Sequence, residues 1–324
     1  MKAALLTEYA GPSAIVLRDL PEPVPAEGEV LLGFEAAEVN YPDALVVSGR
    51  YQTRPPLPFI PGKAMVGRVL DARGAAAPAR GARVIAHVEY GAFAERVALP
   101  AAACLPVPEG IGAADAAALG LNYQTAHFAL AARGGLAAGR ACWCSAPRAR
   151  WAPRRCNWPV RSAPRGCWPA SAARRRRPPP SPRAPMPRCG STRGGIAPAG
   201  GGGDRRARRG CGDRPAGRCR HRRRAALPRP CGRLVVVGFA AGEIPQIRSN
   251  YLLVKNVGVV GLNWADHRDR EPARVAAVQA EIFALFLEGR LRPRIHRRLP
   301  LAAAAEALDL VARGGLPGRV LLEG

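Results

Sequence analysis

Over roughly its first 115 residues the chain alternates apolar and polar positions in short runs: AIVLRDL, EVLLGFEA, MVGRVLDA, ARVIAHV and AERVAL. Glycine and proline set the runs apart. Side chains of a strand point to opposite faces in turn, so this period-two pattern with turn residues between predicts a compact, mostly antiparallel β domain over 1–115. The opening MKAALLTEYAGPSAIVLRDL carries acids among its apolar residues and reads as a strand pair, not as a signal peptide. From Ala113 the texture changes to ADAAALGLNYQTAHFALAARGGL, an Ala/Leu-rich helical pattern. After residue 230, GRLVVVGF reads as a buried strand and LLVKNVGVVGLNW as a second strand region. EPARVAAVQAEIFALFLEGR follows as a long amphipathic helix, AAAAEALDLVARGG as a shorter one, and GRVLLEG as a closing strand. Strands alternating with helices imply a parallel sheet with crossover connections. The expected class is α/β: a β-rich domain at 1–115 followed by a parallel-sheet domain.

Between these flanks the pattern stops. Residues 140–229 contain only Val160, Met186, Ile196 and Leu227 among Val, Ile, Leu, Met and Phe. So little apolar surface cannot offset the entropy of ordering, and 140–228 is expected to be scrambled or disordered. Charge gathers in the same place. The net charge of +25 is strongly basic, yet 140–229 holds 25 Arg, no Lys and two acids, Asp204 and Asp213, which is +23 and leaves +2 elsewhere. The basicity therefore belongs to one segment, and the arginines lack the regular aromatic interleaving of a base-stacking surface, so nucleic acid is an unfavoured partner. No apolar run reaches the ~18 residues of a membrane span, and reduced cysteines in a cytoplasmic protein are the default at this length.

Several motifs in the flanks occur together in order: VNYPDALVVSGRY, LPFIPGKAMVGRV, GAFAERVALPAAA, LNYQTAHFAL, LVVVGF and GRVLLEG. In this combination the chain resembles the zinc-independent quinone oxidoreductases of the medium-chain dehydrogenase/reductase superfamily. The resemblance implies a GroES-like first domain over 1–115 with strands of 292–324 packing back on it, a Rossmann-type second domain over 116–291, NADPH as hydride donor, a quinone or related conjugated carbonyl as substrate, and a homodimer. It also implies that no metal is needed. Gly62, Lys63, Ala64 and Met65 stand where zinc-dependent relatives carry Gly-His-Glu, and the only cysteines outside 140–229, Cys104 and Cys231, lie 127 residues apart.

Carried over by motif, Asn40, Asp43 and Tyr51 would line the substrate cleft as catalytic residues. Tyr123, Thr125, Gly238, Phe239, Asn263 and Arg319 would border the cofactor. Each has a plainer reading: Asn40 and Asp43 as helix caps, Tyr51 as a packing tyrosine, the rest as a helix start, a strand end and a surface arginine. The five histidines show no metal-type spacing.

The family's pyrophosphate turn should follow LAAGR, near residue 145, where CWCSAPRARWAPRRCNWP stands instead. Cys and Trp codons both begin with TG, so a one-base shift puts T in the middle of the codon, where it specifies aliphatic residues. In that frame the stretch can be read as VLVLGAAGAVGSAAVQLA, an apolar strand, a glycine turn and a helix start. SAPRGCWP shifts likewise to a plausible second strand. Residues 140 to about 225 are therefore read as out-of-frame translation of a Rossmann-coding sequence.

Overall fold

A computed structural model describes residues 1–74, 77–136, 143–144, 168–169, 231–239, 244 and 246–324. Apart from two short strands, the scrambled segment expected at 140–228 lies outside the described residues. Met1–Ser171 and Leu227–Gly324 form one compact unit.

The period-two runs become strands. β1 (Lys2–Leu6) pairs antiparallel with β2 (Ile15–Asp19), Leu6 opposite Ile15. A seven-stranded sheet follows from β3 (Glu29–Val39), β4 (Ala64–Ala72), β5 (Arg83–His87), β6 (Arg96–Pro100), β7 (Cys104–Pro106), β12 (Ile295–Pro300) and β13 (Arg319–Glu323). Its order is β12-β13-β3-β4-β5-β7, with β6 also on β3. The long β3 gives one edge to β4; along the other it pairs with β6 through residues 29–33 and with β13 through 36–39. All these pairings are antiparallel except β12 with β13.

Both faces of the sheet are covered, which explains why RVLLE reads as nearly continuous apolar sequence. Val320 and Leu322 face one core with α1 (Tyr41–Val47) and α7 (Ala304–Arg313). Leu321 faces a second core with Ile85, Phe128, Ile282 and Phe283, where α2 (Ala113–Ala118), α3 (Leu121–His127) and α6 (Pro272–Leu287) pack. Gly62 turns the chain into β4 at φ 105°, and a Cβ there would lie 2.5 Å from the Phe93 ring, so the turn needs glycine on two counts.

The Ala/Leu-rich pattern from Ala113 does not make one helix. It breaks at Gly120, where a Cβ would meet Ile85 at 2.9 Å, and the last stretch, Phe128–Arg133, widens to a π-helix. Gln124 of α3 then ties this region to α6: its Nε2 donates to Val275 O (2.9 Å) and Gln279 Oε1 (3.0 Å).

In the second half, β10 (Arg233–Val236) pairs in parallel with β11 (Gly258–Gly261). The expected strand region LLVKNVGVVGLNW is corrected in its first part. Ser249–Lys255 forms helix α4, ended by Asn256 in the left-handed conformation at φ 49°. A short apolar run does not itself distinguish helix from strand, and here the left-handed asparagine just past Lys255 marks a helix end. After β11, α5 (Trp264–Arg270) leads into α6. Within the odd segment, β8 (Trp143–Cys144) and β9 (Trp168–Pro169) pair in parallel, Trp143 opposite Trp168.

Candidate functional site

The sequence places Asn40 and Asp43 at the N-terminus of α1, and both are almost fully buried, at 2% and 1% exposure. Part of their work is structural. Asp43 Oδ2 accepts from the Asn40 backbone N–H at 2.7 Å, so the cap reading describes this carboxylate correctly. A cap leaves the rest of both side chains available to other partners.

Asn40 joins one buried network. Its Nδ2 donates to Glu38 O at 3.1 Å, and its Oδ1 accepts from Asn122. Asn122 Nδ2 also donates to Glu38 Oε1 at 2.8 Å. The same Glu38 oxygen lies 3.1 Å from Arg319 Nε, and the Arg319 guanidinium stands 5.6 Å from the centroid of the Tyr123 ring. Burial pushes the Tyr123 phenol up from its usual range, so it remains a neutral group. Arg319 is thus a buried partner of Glu38, not the surface residue of the plainer reading.

Asp43 points to a second cluster. Its Oδ1 is buried with no hydrogen-bond partner among the described residues. Burial raises its pKa to about 7, against the opposing pull of Lys63. Lys63, just ahead of β4, is 5% exposed; its Nζ donates to Glu89 Oε1 at 2.6 Å and to Glu89 O at 3.0 Å. The same ammonium lies 4.6 Å from the centroid of the half-buried Tyr51 ring. Glu89 Oε2 takes a further ion pair from Arg268 of α5 at 3.2 Å. Burial, followed by the nearby negative charges of Glu89 and Asp43, lifts the Tyr51 phenol to about 12. Tyr51 is therefore a protonated hydrogen-bond donor throughout the neutral range, beside an acid that exchanges its proton near neutrality.

The remaining sequence candidates are more scattered. The Thr125 hydroxyl donates back to Leu121 O at 2.8 Å within α3. Gly238 and Phe239 are exposed just past β10, and nothing lies within 4 Å of a Cβ built on Gly238. Asn263 is exposed at the start of α5. Sequence reasoning assigned no role to Lys63, Glu89, Arg268, Glu38 or Asn122. The one available signal was a charged residue inside an apolar frame, as with Glu38 in EVLLGFEAAEV and Lys63 in PFIPGKAMV.

Two groups can be tested against these residues. Among the described residues no three of His, Cys, Asp and Glu come together as a metal-binding group. A dinucleotide needs glycine where the backbone approaches its pyrophosphate. No glycine occurs between Gly139 and Gly166.

Residues 26–109 match the alcohol dehydrogenase GroES-like domain, and residues 217–322 match the zinc-binding dehydrogenase family. Quinone oxidoreductase-like protein 2 of Mus musculus is 27% identical over 344 aligned residues, covering 99% of this chain and 91% of its own. The human quinone oxidoreductase is 34% identical over 134 residues, 40% of each chain. Among solved structures, the quinone oxidoreductase of Thermus thermophilus, determined also as its NADPH complex, superposes with a TM-score of 0.69 at 26% identity over 100% of both chains. The Escherichia coli quinone oxidoreductase complexed with NADPH has the same fold, with a TM-score of 0.75 at 16% identity over 100% of both chains.

Proposed function

Because the chain belongs to the quinone oxidoreductases of the medium-chain dehydrogenase/reductase superfamily, we propose that its gene specifies a zinc-independent reductase of quinones or related conjugated carbonyls. NADPH, when bound, would supply the hydride. The observation that carries the reading is the Asp43, Lys63 and Tyr51 cluster: a neutral phenol donor, a buried ammonium and a carboxyl that protonates near neutral pH, packed at one end of α1. Such groups hold a carbonyl oxygen and stabilise negative charge on it without a metal. Asn40, by fixing Asn122 and Glu38, keeps the neighbouring wall rigid. Tyr123, Thr125, Gly238, Phe239, Asn263 and Arg319 remain the proposed border of the cofactor; Arg319 would act there through Tyr123 and Glu38.

The phosphate half of that cofactor site is the part this chain lacks, and out-of-frame translation of 140 to about 225 accounts for it. The parallel pairing of β8 with β9 supports this, since Trp143–Cys144 and Trp168–Pro169 fall where the shifted frame places the first two strands of a Rossmann unit. A soluble homodimer in the cytoplasm is part of the proposal, and among the described residues no helix is long and apolar enough to cross a membrane.

The test compares two proteins. A chain with the frame restored across 140–225 is expected to oxidise NADPH in the presence of a simple quinone such as menadione. The chain as it stands is expected to bind NADPH far more weakly, and micromolar affinity measured by fluorescence titration would contradict the assignment of its missing turn. Failure of the restored chain with every quinone and enone offered would overturn the functional reading.

A further inference from the structure

The geometry points to Lys63 as a positioning residue that sets the electrostatics of the substrate-oxygen site through Tyr51, with Glu89 as a counter-ion that it shares with Arg268. This rests on the reading of the Asp43–Tyr51 cleft as a carbonyl site. An ammonium has three donors. Two go to the oxygens of Glu89, at 2.6 and 3.0 Å, and the centroid of the Tyr51 ring lies 4.6 Å from the same nitrogen. A cation against the π face of a phenol draws electron density from the ring and makes its hydroxyl a stronger donor. The same contact fixes where the ring can sit, and hence where its hydroxyl points.

The charges around the site come from separate parts of the chain. Asp43 belongs to α1, Tyr51 to the loop after it, Lys63 to the lead into β4, Glu89 to the loop after β5 and Arg268 to α5. Glu89 lies closer to Lys63 than to Arg268, yet it serves both cations, with 2.6 and 3.2 Å contacts. Arg268 is also held by Asp269, at 2.7 and 3.1 Å, so with Asp43 protonated the charges of Lys63, Arg268, Glu89 and Asp269 balance, and Lys63 is the cation that stands against the Tyr51 ring. Its ammonium suits the oxygen of a quinone, which gains electron density as the ring is reduced, and it suits a phenolate equally well.

The test uses the full chain and 4-nitrophenol, whose visible phenolate band reports its own ionisation in the bound state. The unsubstituted chain is expected to bind the probe and lower its apparent pKa by about one unit, a tenfold preference for the phenolate. Lys63→Gln is expected to abolish most of that shift, and Lys63→Arg to restore it. Glu89→Gln should deepen the shift, an increase that a merely structural role of the ion pair would not produce, and it remains informative if Lys63→Gln fails to fold. A bound probe whose pKa is the same in the unsubstituted chain, Lys63→Gln and Glu89→Gln overturns the role of Lys63 while leaving the cleft intact. No binding of the probe to the unsubstituted chain overturns the cleft and Lys63 together.

Discussion

Asp43 and His87 are both buried titratable side chains, and burial moves them in opposite directions. Asp43 rises from 3.8 to about 7, while His87, whose ring lies 5.1 Å from that of Trp264, falls from 6.5 to about 4. Between 3.8 and about 7 the folded chain holds a proton on Asp43 that the unfolded chain has released, so stability falls as pH rises through that window. Between about 4 and 6.5 the unfolded chain binds a proton that buried His87 refuses, so His87 makes stability fall as pH drops. The two trends oppose each other in the unsubstituted protein. Asp43→Asn is expected to expose the His87 trend, with urea midpoints decreasing as pH is lowered from 6.5 toward about 4. His87→Leu should expose the reverse, with midpoints decreasing as pH rises toward about 7. Parallel profiles in all three proteins would refute the assignment. The sequence suggested Asp43 as a cap or a cleft residue; the cap is seen in Oδ2, and Oδ1 is the oxygen on which the proposed cleft role rests. The cluster around Lys63 was not legible, since its partners come from residues 43, 51 and 89, with Arg268 sharing Glu89, and these share no local pattern.

Among elements, period-two alternation revealed the strands of the first sheet because most of them bury one or both faces against a defined core. It misread residues 252–255 as strand because a short apolar run carries no period, and it did not mark the break at Gly120, where a Cβ would lie 2.9 Å from Ile85 of another element. The β3–β13 pair carries the most exacting polar contact. Glu38 and Arg319 sit on adjacent strands with side chains 1% and 5% exposed. Removing one partner of such a pair leaves a buried charge, so Arg319→Met is expected to cost about 3–5 kcal/mol by chemical denaturation. The double variant Glu38→Met/Arg319→Met should recover much of that loss, and additive costs in the cycle would show that the two residues do not interact.

At the scale of the molecule, the first domain is not a self-contained stretch of sequence. β13 ends at residue 323 and β12 begins at 295, yet both belong to the sheet built on β3. A fragment of residues 1–115 is accordingly expected to lose cooperative unfolding or to self-associate, because residues 36–39 would present an open strand edge. A monomeric fragment melting as sharply as the full chain would show that β13 is dispensable. The α/β class was readable from the order of patterns in the flanks. In its own frame the interior 140–229 reads as an interruption, because a packed element needs apolar side chains in register and that segment has four from the set Val, Ile, Leu, Met and Phe.

The placement of β13 also has a consequence for synthesis. Its partner, residues 36–39 of β3, leaves the ribosome long before β13 itself is made. Every nascent chain therefore carries an unclosed edge, and a Glu38 that lacks Arg319, until residues 319–323 emerge. A product that stopped short of β13, for whatever reason, would keep that edge for its lifetime and would be distinguishable from a longer one by chaperones and proteases that sense exposed strands. Docking of β13 is in this sense the molecule's own signal that translation has passed through the segment in between.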